Sequence, residues 1–483
     1  MSWITYKRGT IHPYRADLFS WPITKYKGYC PGINLPETLY INEGPVLTWS
    51  WNKEQMQKFW RQHLQTLSSP SLSAKHFNQL DSYTAKARRA ANNIFKAELS
   101  SYSNVKLSKS IVRLLKDISS FQALSTAEID AVDLFFGDYV KGIIFKELPK
   151  NMSAQDKEKV FNSLIDIADK TYVNKREEGI IRLALKKNAS KDDFFKLYNR
   201  FWWTNLGWEM IAPYKLSDFE IMVKSQSRVS PSKLKTKLTL TASNRRRTLS
   251  LRKMYIQKYN LSSQVKYWLD ICDYYIHCHD IRKEMQIKTL YADHLLLVAV
   301  AKKLHYRVSD LEWCWHKEIL SFLKGTSKID YLEIAQRKQA VAAFVSFGHF
   351  ECFSGEKALA IKSKELILSV KRKYKIIGKP AFPGRVSAKV KVCVGAKEAL
   401  QKIKKGDILV CPMTMPEYLP AMKKAAAIIT DEGGVTCHAT IIAREFHIPC
   451  IVGAKDATKN LVDGDFVELD AGNGEIDIIK HTN

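Results

Sequence analysis

The chain has no apolar run approaching the roughly 18 residues that a helix needs to cross a bilayer. Its longest, Leu295 to Ala301, has the length of a core-helix segment, so no membrane span is expected. The opening residues carry Lys7, Arg8 and Arg15 without an apolar stretch, which argues against a secretory signal. Nine cysteines are scattered without paired spacing. That argues against a disulfide framework and points to the reducing cytoplasm. There is no internal repeat, no low-complexity tract and no Gly-x-x-x-x-Gly-Lys-Ser/Thr phosphate loop. A Walker-type nucleotide enzyme is thereby set aside.

What is present is a 483-residue chain with a formal net charge of +27. The excess is lopsided. Residues 378–483 hold 14 Lys and Arg against 13 Asp and Glu, leaving 62 against 36 for residues 1–377. A basic surface attracts nucleotides, phosphorylated substrates, nucleic acid or an acidic partner, and does not choose among them.

Residues 1–50 contain Pro13, Pro22, Pro31, Pro36 and Pro45 between short β-branched and aromatic runs, and read as a small strand- and turn-rich segment. From 51 to 360 the spacing is helical and Pro and Gly are sparse, which predicts an all-helical domain for binding an acceptor or docking a partner. Within it Ile111, Leu114, Leu115 and Ile118 mark an apolar face. Ser125-Thr126-Ala127-Glu128 and Ser309-Asp310-Leu311-Glu312 look like capping boxes that open helices. The aromatic run Phe201 to Trp208 reads as core, or as the floor of a pocket. His277-Cys278-His279-Asp280 does not read as a zinc site, because adjacent residues of a helix point apart. Residues 361–377, with six Lys and Arg, form a basic linker, and 378–483 a compact β/α unit. The fold class expected is α+β multidomain: a large mainly α-helical domain followed by a C-terminal β/α domain.

The most informative stretch runs from Ile428 to Gly453. A buried-strand run ends at Thr430 and gives way to Asp431, Glu432 and the pair Gly433-Gly434, which lets the backbone bend and approach a ligand. Thr436 can cap a helix whose apolar face is Ala439, Ile442, Ala443 and Phe446, and Pro449 ends it before a second strand. His438 then stands in the first helical turn, off the apolar face. There the helix dipole disfavours imidazolium, and free N–H groups favour a phosphoryl group on the ring.

Asp431-Glu432-Gly433-Gly434-Val435-Thr436-Cys437-His438-Ala439, with Ile448-Pro449-Cys450-Ile451-Val452-Gly453, resembles the swivelling phosphohistidine domain of the phosphoenolpyruvate-utilising enzymes. That group includes phosphoenolpyruvate synthase, pyruvate phosphate dikinase and rifampicin phosphotransferase. The likeness extends over roughly 376–479 and includes Pro383-Gly384, Gly406-Asp407-Ile408-Leu409-Val410 and Pro412-Met413-Thr414. It implies that His438 accepts phosphate, that Gly433, Gly434, Thr436 and Arg444 hold it, and that Thr436 is a regulatory phosphorylation site. The sequence departs from the pattern at Ala388 and at His447, both places where Gly is usual.

No stretch resembles the ATP-grasp domain of these enzymes, nor their phosphoenolpyruvate/pyruvate barrel. The resemblance therefore implies a cytoplasmic phosphotransferase subunit in which an ATP-grasp-type protein acts in trans. ATP and Mg²⁺ would sit at a donor site outside this chain, and no metal is expected on the chain itself. A small-molecule acceptor would bind the helical domain. The alternatives are a non-catalytic protein whose basic helical domain binds nucleic acid or an acidic partner, and an autonomous kinase with a divergent nucleotide site.

Overall fold

The computed structural model describes residues 3–25, 35–43, 46–166, 171–207, 212–366, 375–434, 437–455 and 457–482. It is mainly helical, followed by a C-terminal β/α unit. The chain opens with β1 (Trp3–Thr10), α1 (Pro13–Lys25), β2 (Thr38–Glu43) and β3 (Val46–Asn52). Then come α2 (Lys53–Leu67), α3 (Pro70–Phe95), α4 (Asn104–Ala131), α5 (Gly137–Glu147), α6 (Ala154–Leu164) and α7 (Tyr172–Ala184). They continue as α8 (Lys191–Phe201), α9 (Leu216–Ser227), α10 (Pro231–Lys258), α11 (Ser263–Leu304), α12 (Val308–Leu311), α13 (His316–Lys324) and α14 (Tyr331–Gln339).

The core of this part is α2, α3, α4 and α11. Phe59, Ala87, Ala91, Leu114, Ile118, Val265 and Leu269 are buried between them. The amphipathic face read at 111–118 is buried as expected. The capping box read at 125–128 is not formed, because these residues lie inside α4. Glu128 turns inward instead, where its carboxylate accepts hydrogen bonds in the core. Between α4 and α5 the helix widens into a π turn, Val132–Phe136. Such bulges re-aim backbone groups.

Three readings of the chain before the C-terminal unit need correction. Residues 1–50 include a helix, α1, and their strands do not form a sheet alone. The helical run expected to 360 stops at Gln339, where β4 (Ala340–Ser346) and β5 (His349–Ser354) form a hairpin before α15 (Gly355–Leu366). These strands complete an antiparallel sheet of order β1-β3-β2-β4-β5. Thr38 pairs with Val345 and Glu43 with Ala340. Pairing across some 300 residues outweighs the helix preference of an alanine-rich run. The linker read at 361–377 is partly the end of α15 and partly a strand, β6 (Lys375–Ile377); residues 367–374 lie outside those described.

The C-terminal unit continues with β7 (Lys379–Phe382), β8 (Arg385–Val392), α16 (Ala396–Lys402), β9 (Ile408–Cys411), α17 (Leu419–Met422), β10 (Ala427–Thr430), α18 (His438–Phe446), β11 (Cys450–Val452), α19 (Ala457–Asn460), β12 (Phe466–Asp470) and β13 (Glu475–Lys480). Its sheet has the order β6-β13-β12-β8-β9-β10-β11-β7. β8, β9, β10 and β11 are parallel neighbours. Side chains alternate between its faces. Val390, Ile408, Val410 and Ile429 build one small core. Leu409, Cys411, Ile428 and Cys450 face the other way with Ala439, Ile442 and Ala443 of α18, in a cluster continuous with the helical core. The face that carries α18 therefore packs toward the large helical part.

Candidate functional site

β10 sits in the middle of the parallel strands, and its four residues are buried. The loop after it is tied down at both ends. Asp431 N–H donates to Cys411 O at 3.1 Å and Glu432 N–H to Pro412 O at 3.0 Å, while the Asp431 carboxylate accepts from Thr458 N at 2.8 Å. Gly433 has φ +114°, and a Cβ there would meet Cys437 Sγ at 2.6 Å. Thr440 Oγ1 donates back to Gly434 O at 2.7 Å. The turn and the first turn of α18 are thus one hydrogen-bonded unit. Thr436, expected to cap the helix and hold phosphate, lies outside the described residues. The residue immediately before α18 is Cys437, without a side-chain capping bond.

His438 is the first residue of α18. Its Nδ1 lies 2.8 Å from Thr414 Oγ1, on the loop after β9. When that bond runs from Nδ1–H to the hydroxyl oxygen, the lone pair is on Nε2. His438 Nε2 is buried and, among the described residues, has no hydrogen-bond partner. Burial, followed by the charge of Lys283 and then His279, depresses the proton affinity of His438 to a pKa of about 3. Burial, rather than the helix dipole read from the sequence, is thus the main cause that disfavours the imidazolium.

Lys283 and His279 belong to α11 and are four residues apart, so they share one face of that helix. His279 Nε2 is 3.2 Å from Asp133 Oδ1, in the π turn. The backbone of that turn presses on the glycine loop: a Cβ on Gly434 would lie 2.5 Å from Asp133 O. Lys283 Nζ lies 3.9 Å from Glu417 Oε2 of the C-terminal unit. Further contacts rim this face. Lys379 Nζ donates to Asp138 at 2.7 Å, Lys423 Nζ to Glu177 at 2.6 Å, and Thr171 Oγ1 to Glu445 at 3.4 Å. The structure therefore holds the C-terminal unit docked, with His438 against the helical part.

Gly433 and Gly434 form the turn beside His438 as expected. Arg444 does not join them. It stands near the end of α18, where its Nε donates to Ala381 O at 3.1 Å and its Nη2 reaches Asn162 at 3.5 Å. Six residues of helix rise amount to about 9 Å, so Arg444 ties α18 to β7 and α6 rather than facing the imidazole. Sequence reasoning missed Thr414, Lys283, His279 and Asp133 as site residues. Thr414 carried a signal, since it stands in the Pro412-Met413-Thr414 segment of the resemblance.

The tetrad His277-Cys278-His279-Asp280 is split by the fold. His279 turns to Asp133, Asp280 accepts from Tyr172 N at 2.8 Å, and Cys278 is buried. Burial pushes Asp280 up to a pKa of about 6. Trp203 and Leu206, from the aromatic run, pack with Ile287 as core; Trp208 lies outside the described residues.

Residues 403–474 match the family described as PEP-utilising enzyme, mobile domain. The C-terminal unit is similar to such a mobile domain throughout its central strands and α18. Phosphoenolpyruvate synthase of Aeropyrum pernix is 52% identical over 99 residues, which cover 20% of this chain and 12% of that protein. Phosphoenolpyruvate synthase of Pyrococcus furiosus is 46% identical over 121 residues, covering 25% of this chain and 14% of that protein. The likeness thus lies over the C-terminal region of this chain and spans a small fraction of the length of these relatives. A crystal structure of Thermococcus kodakaraensis aconitase X matches 22% of this chain and 98% of its own, at 22% identity and a TM-score of 0.19, too slight to bear on fold or function. No helix among the described residues is long and apolar enough to cross a membrane.

Proposed function

We propose that this protein is a phosphotransferase subunit whose mobile domain carries a phosphoryl group on His438. The observation that supports the reading most is the setting of the imidazole: held at Nδ1 by Thr414, with Nε2 buried and without a hydrogen-bond partner among the described residues, and with Lys283 near enough to lower its proton affinity further. In the first step the Nε2 lone pair attacks phosphorus. The N–P bond forms as the bond to the nucleotide's leaving oxygen breaks, and Gly433, Gly434 and Thr436 hold the phosphoryl oxygens. The donor nucleotide is ATP with Mg²⁺ on an ATP-grasp-type protein in trans; the bound nucleotide supplies the phosphoryl group and the metal offsets its charge.

The domain then docks as the structure has it. Lys283 faces the phosphoryl group, and His279, whose Nε2 lies 3.2 Å from Asp133 Oδ1, takes the proton of an attacking acceptor hydroxyl on its other ring nitrogen as the N–P bond breaks. Tethering makes this second transfer intramolecular. Incubation with radiolabelled ATP and the separate nucleotide-binding domain of a phosphoenolpyruvate synthase is expected to give acid-labile, base-stable label that is absent from His438→Ala. Label that survives this substitution contradicts the proposal.

One observation favours the second reading, a polyanion-binding protein that keeps the fold without catalysis. α10 carries nine Lys and Arg and no Asp or Glu along 28 residues. Gel shifts with a steep salt dependence, together with unchanged function of His438→Ala in cells, would favour it.

A further inference from the structure

Behind the docking face, four helices bring four donor side chains to one point. His63 of α2, His76 of α3, Glu128 of α4 and Tyr275 of α11 are all buried. His76 Nε2 lies 2.8 Å from Glu128 Oε1, and His63 Nε2 lies 3.4 Å from the same oxygen. Tyr275 Oη lies 2.7 Å from Glu128 Oε1 and 2.6 Å from His63 Nε2. The ligand atoms of His63, His76 and Glu128 fall within 4.8 Å of one another. We infer that this cluster is a structural metal site for a divalent ion of the zinc class, with two imidazole nitrogens, a carboxylate and a phenol oxygen as ligands.

Three features carry the inference. The first is donor chemistry: imidazole nitrogen with carboxylate and phenol oxygen, and no thiolate, suits a borderline divalent ion in tetrahedral geometry. The second is spacing. Around zinc, with bonds of ~2.0–2.1 Å, tetrahedral ligands stand about 3.3 Å apart. The three shortest contacts, 2.6 to 2.8 Å, need to open by roughly half an ångström or slightly more, the difference between sharing protons and sharing an ion. The third is an unused acceptor. Glu128 Oε2 is buried and has no hydrogen-bond partner among the described residues.

A buried carboxylate is costly unless its charge is met. The other buried histidine network meets it differently: His316 stands between Asp17 at 2.9 Å and Asp293 at 3.1 Å, one imidazole against two carboxylates. At Glu128 the ratio is reversed, two imidazoles to one carboxylate. On binding, Tyr275 gives its proton to solvent and each imidazole binds through Nε2 with its proton on Nδ1. The dication then meets one carboxylate and one phenolate, and the site is neutral.

Phe59 stacks on the His63 ring at 6.2 Å, and Phe77 and Phe136 stand edge-on to Tyr275 at 6.0 and 5.9 Å. With four protein ligands the tetrahedral set is filled and no position is left for substrate, so the role is structural. The placement says what is held. Tyr275 precedes His279 by one helical turn on α11, and Glu128 precedes Asp133 by five residues across the π turn. The ion would clamp α4 to α11 where they present the docking face to His438. This site was not expected from the sequence.

The test is metal content of the full chain produced with zinc or, separately, cobalt in the medium and then dialysed. One equivalent per chain is expected, and cobalt should give the intense visible bands of a tetrahedral site. Glu128→Gln should lose the equivalent, and Tyr275→Phe, which keeps the ring packing but removes one ligand, should lower the metal retained per chain after dialysis. Chelation should lower the thermal unfolding midpoint of the unsubstituted chain and added zinc restore it. A folded, unsubstituted chain that retains no ion, or cobalt without tetrahedral bands, overturns the inference. So does an equivalent that Glu128→Gln retains unchanged.

Discussion

Thr414 Oγ1 and His438 Nδ1 are 2.8 Å apart, joining the loop after β9 to the first residue of α18. This bond sets which nitrogen of the ring is free. Thr414→Val removes the hydroxyl while keeping the side-chain shape, and should slow phosphorylation of His438 by on the order of 10-fold, the value of one hydrogen bond. Thr414→Ser should restore most of the rate. Equal rates in Val and Ser variants would separate the hydroxyl from the chemistry.

Gly434→Ala tests docking separately from phosphorylation. A Cβ there would lie 2.5 Å from the Asp133 carbonyl oxygen, a backbone atom that cannot swing aside. Gly434 is not among the positive-φ glycines, so alanine does not strain the loop itself. The variant keeps the backbone N–H groups of the turn, so it should fold, still accept label on His438, and fail to stay docked, as judged by lower fluorescence transfer between labels on α7 and α16. Unchanged transfer would mean that the contact is not needed.

Docking should depend on pH from two sides. His438 is pushed down to about 3 in the docked state from an ordinary 6.5, so below 6.5 the released domain takes the proton and docking weakens as pH falls toward 3. Glu445 is pushed up to about 8 by burial, then by Glu177, from an ordinary 4.5. Between 4.5 and 8 it keeps its proton only when docked, so docking weakens as pH rises through that window. The two trends oppose each other between 4.5 and 6.5. Release should therefore grow from pH 6.5 to 8 in the unsubstituted chain, and Glu445→Gln should flatten that limb. Fluorescence transfer between labels on α7 and α16 would report it.

How much of this was legible in the sequence differs between local and distant features. The strand, Gly-Gly turn, His438 and α18 are local, and their residues announce themselves by spacing, breakers and caps. The hairpin at 340–354 was hidden because Ala340, Ala342 and Ala343 suit a helix, although Phe347-Gly348 between β-rich runs, with Gly348 at φ +75°, was a turn signal. Lys283, His279 and Asp133 come to His438 through tertiary packing that no local pattern encodes. Arg444 was misplaced because its place on α18 does not reveal that its guanidinium spans to Ala381 O and Asn162.

His447 ends α18 at φ 57° and ψ 42°, a left-handed conformation that suits Gly better than His. His447→Gly should relieve about 1 kcal/mol of strain, less what is lost from the edge contact of His447 with Phe382 at 5.5 Å. The expected result is a small rise in the thermal unfolding midpoint, read by calorimetry. A fall would mean that the ring contact outweighs the backbone strain.

The central claim is that His438 Nε2 carries phosphate. The most direct measurement is phosphorus NMR and peptide mapping of the full chain treated with phosphoramidate, a small donor that phosphorylates accessible imidazoles. The expected result is a phosphoramidate signal at Nε2 of His438, formed while the domain is released, stable in base, lost in acid and absent from His438→Ala, beside any label on the exposed His305, His349 and His447. Phosphate found only on other residues, or a signal unchanged in His438→Ala, would contradict it.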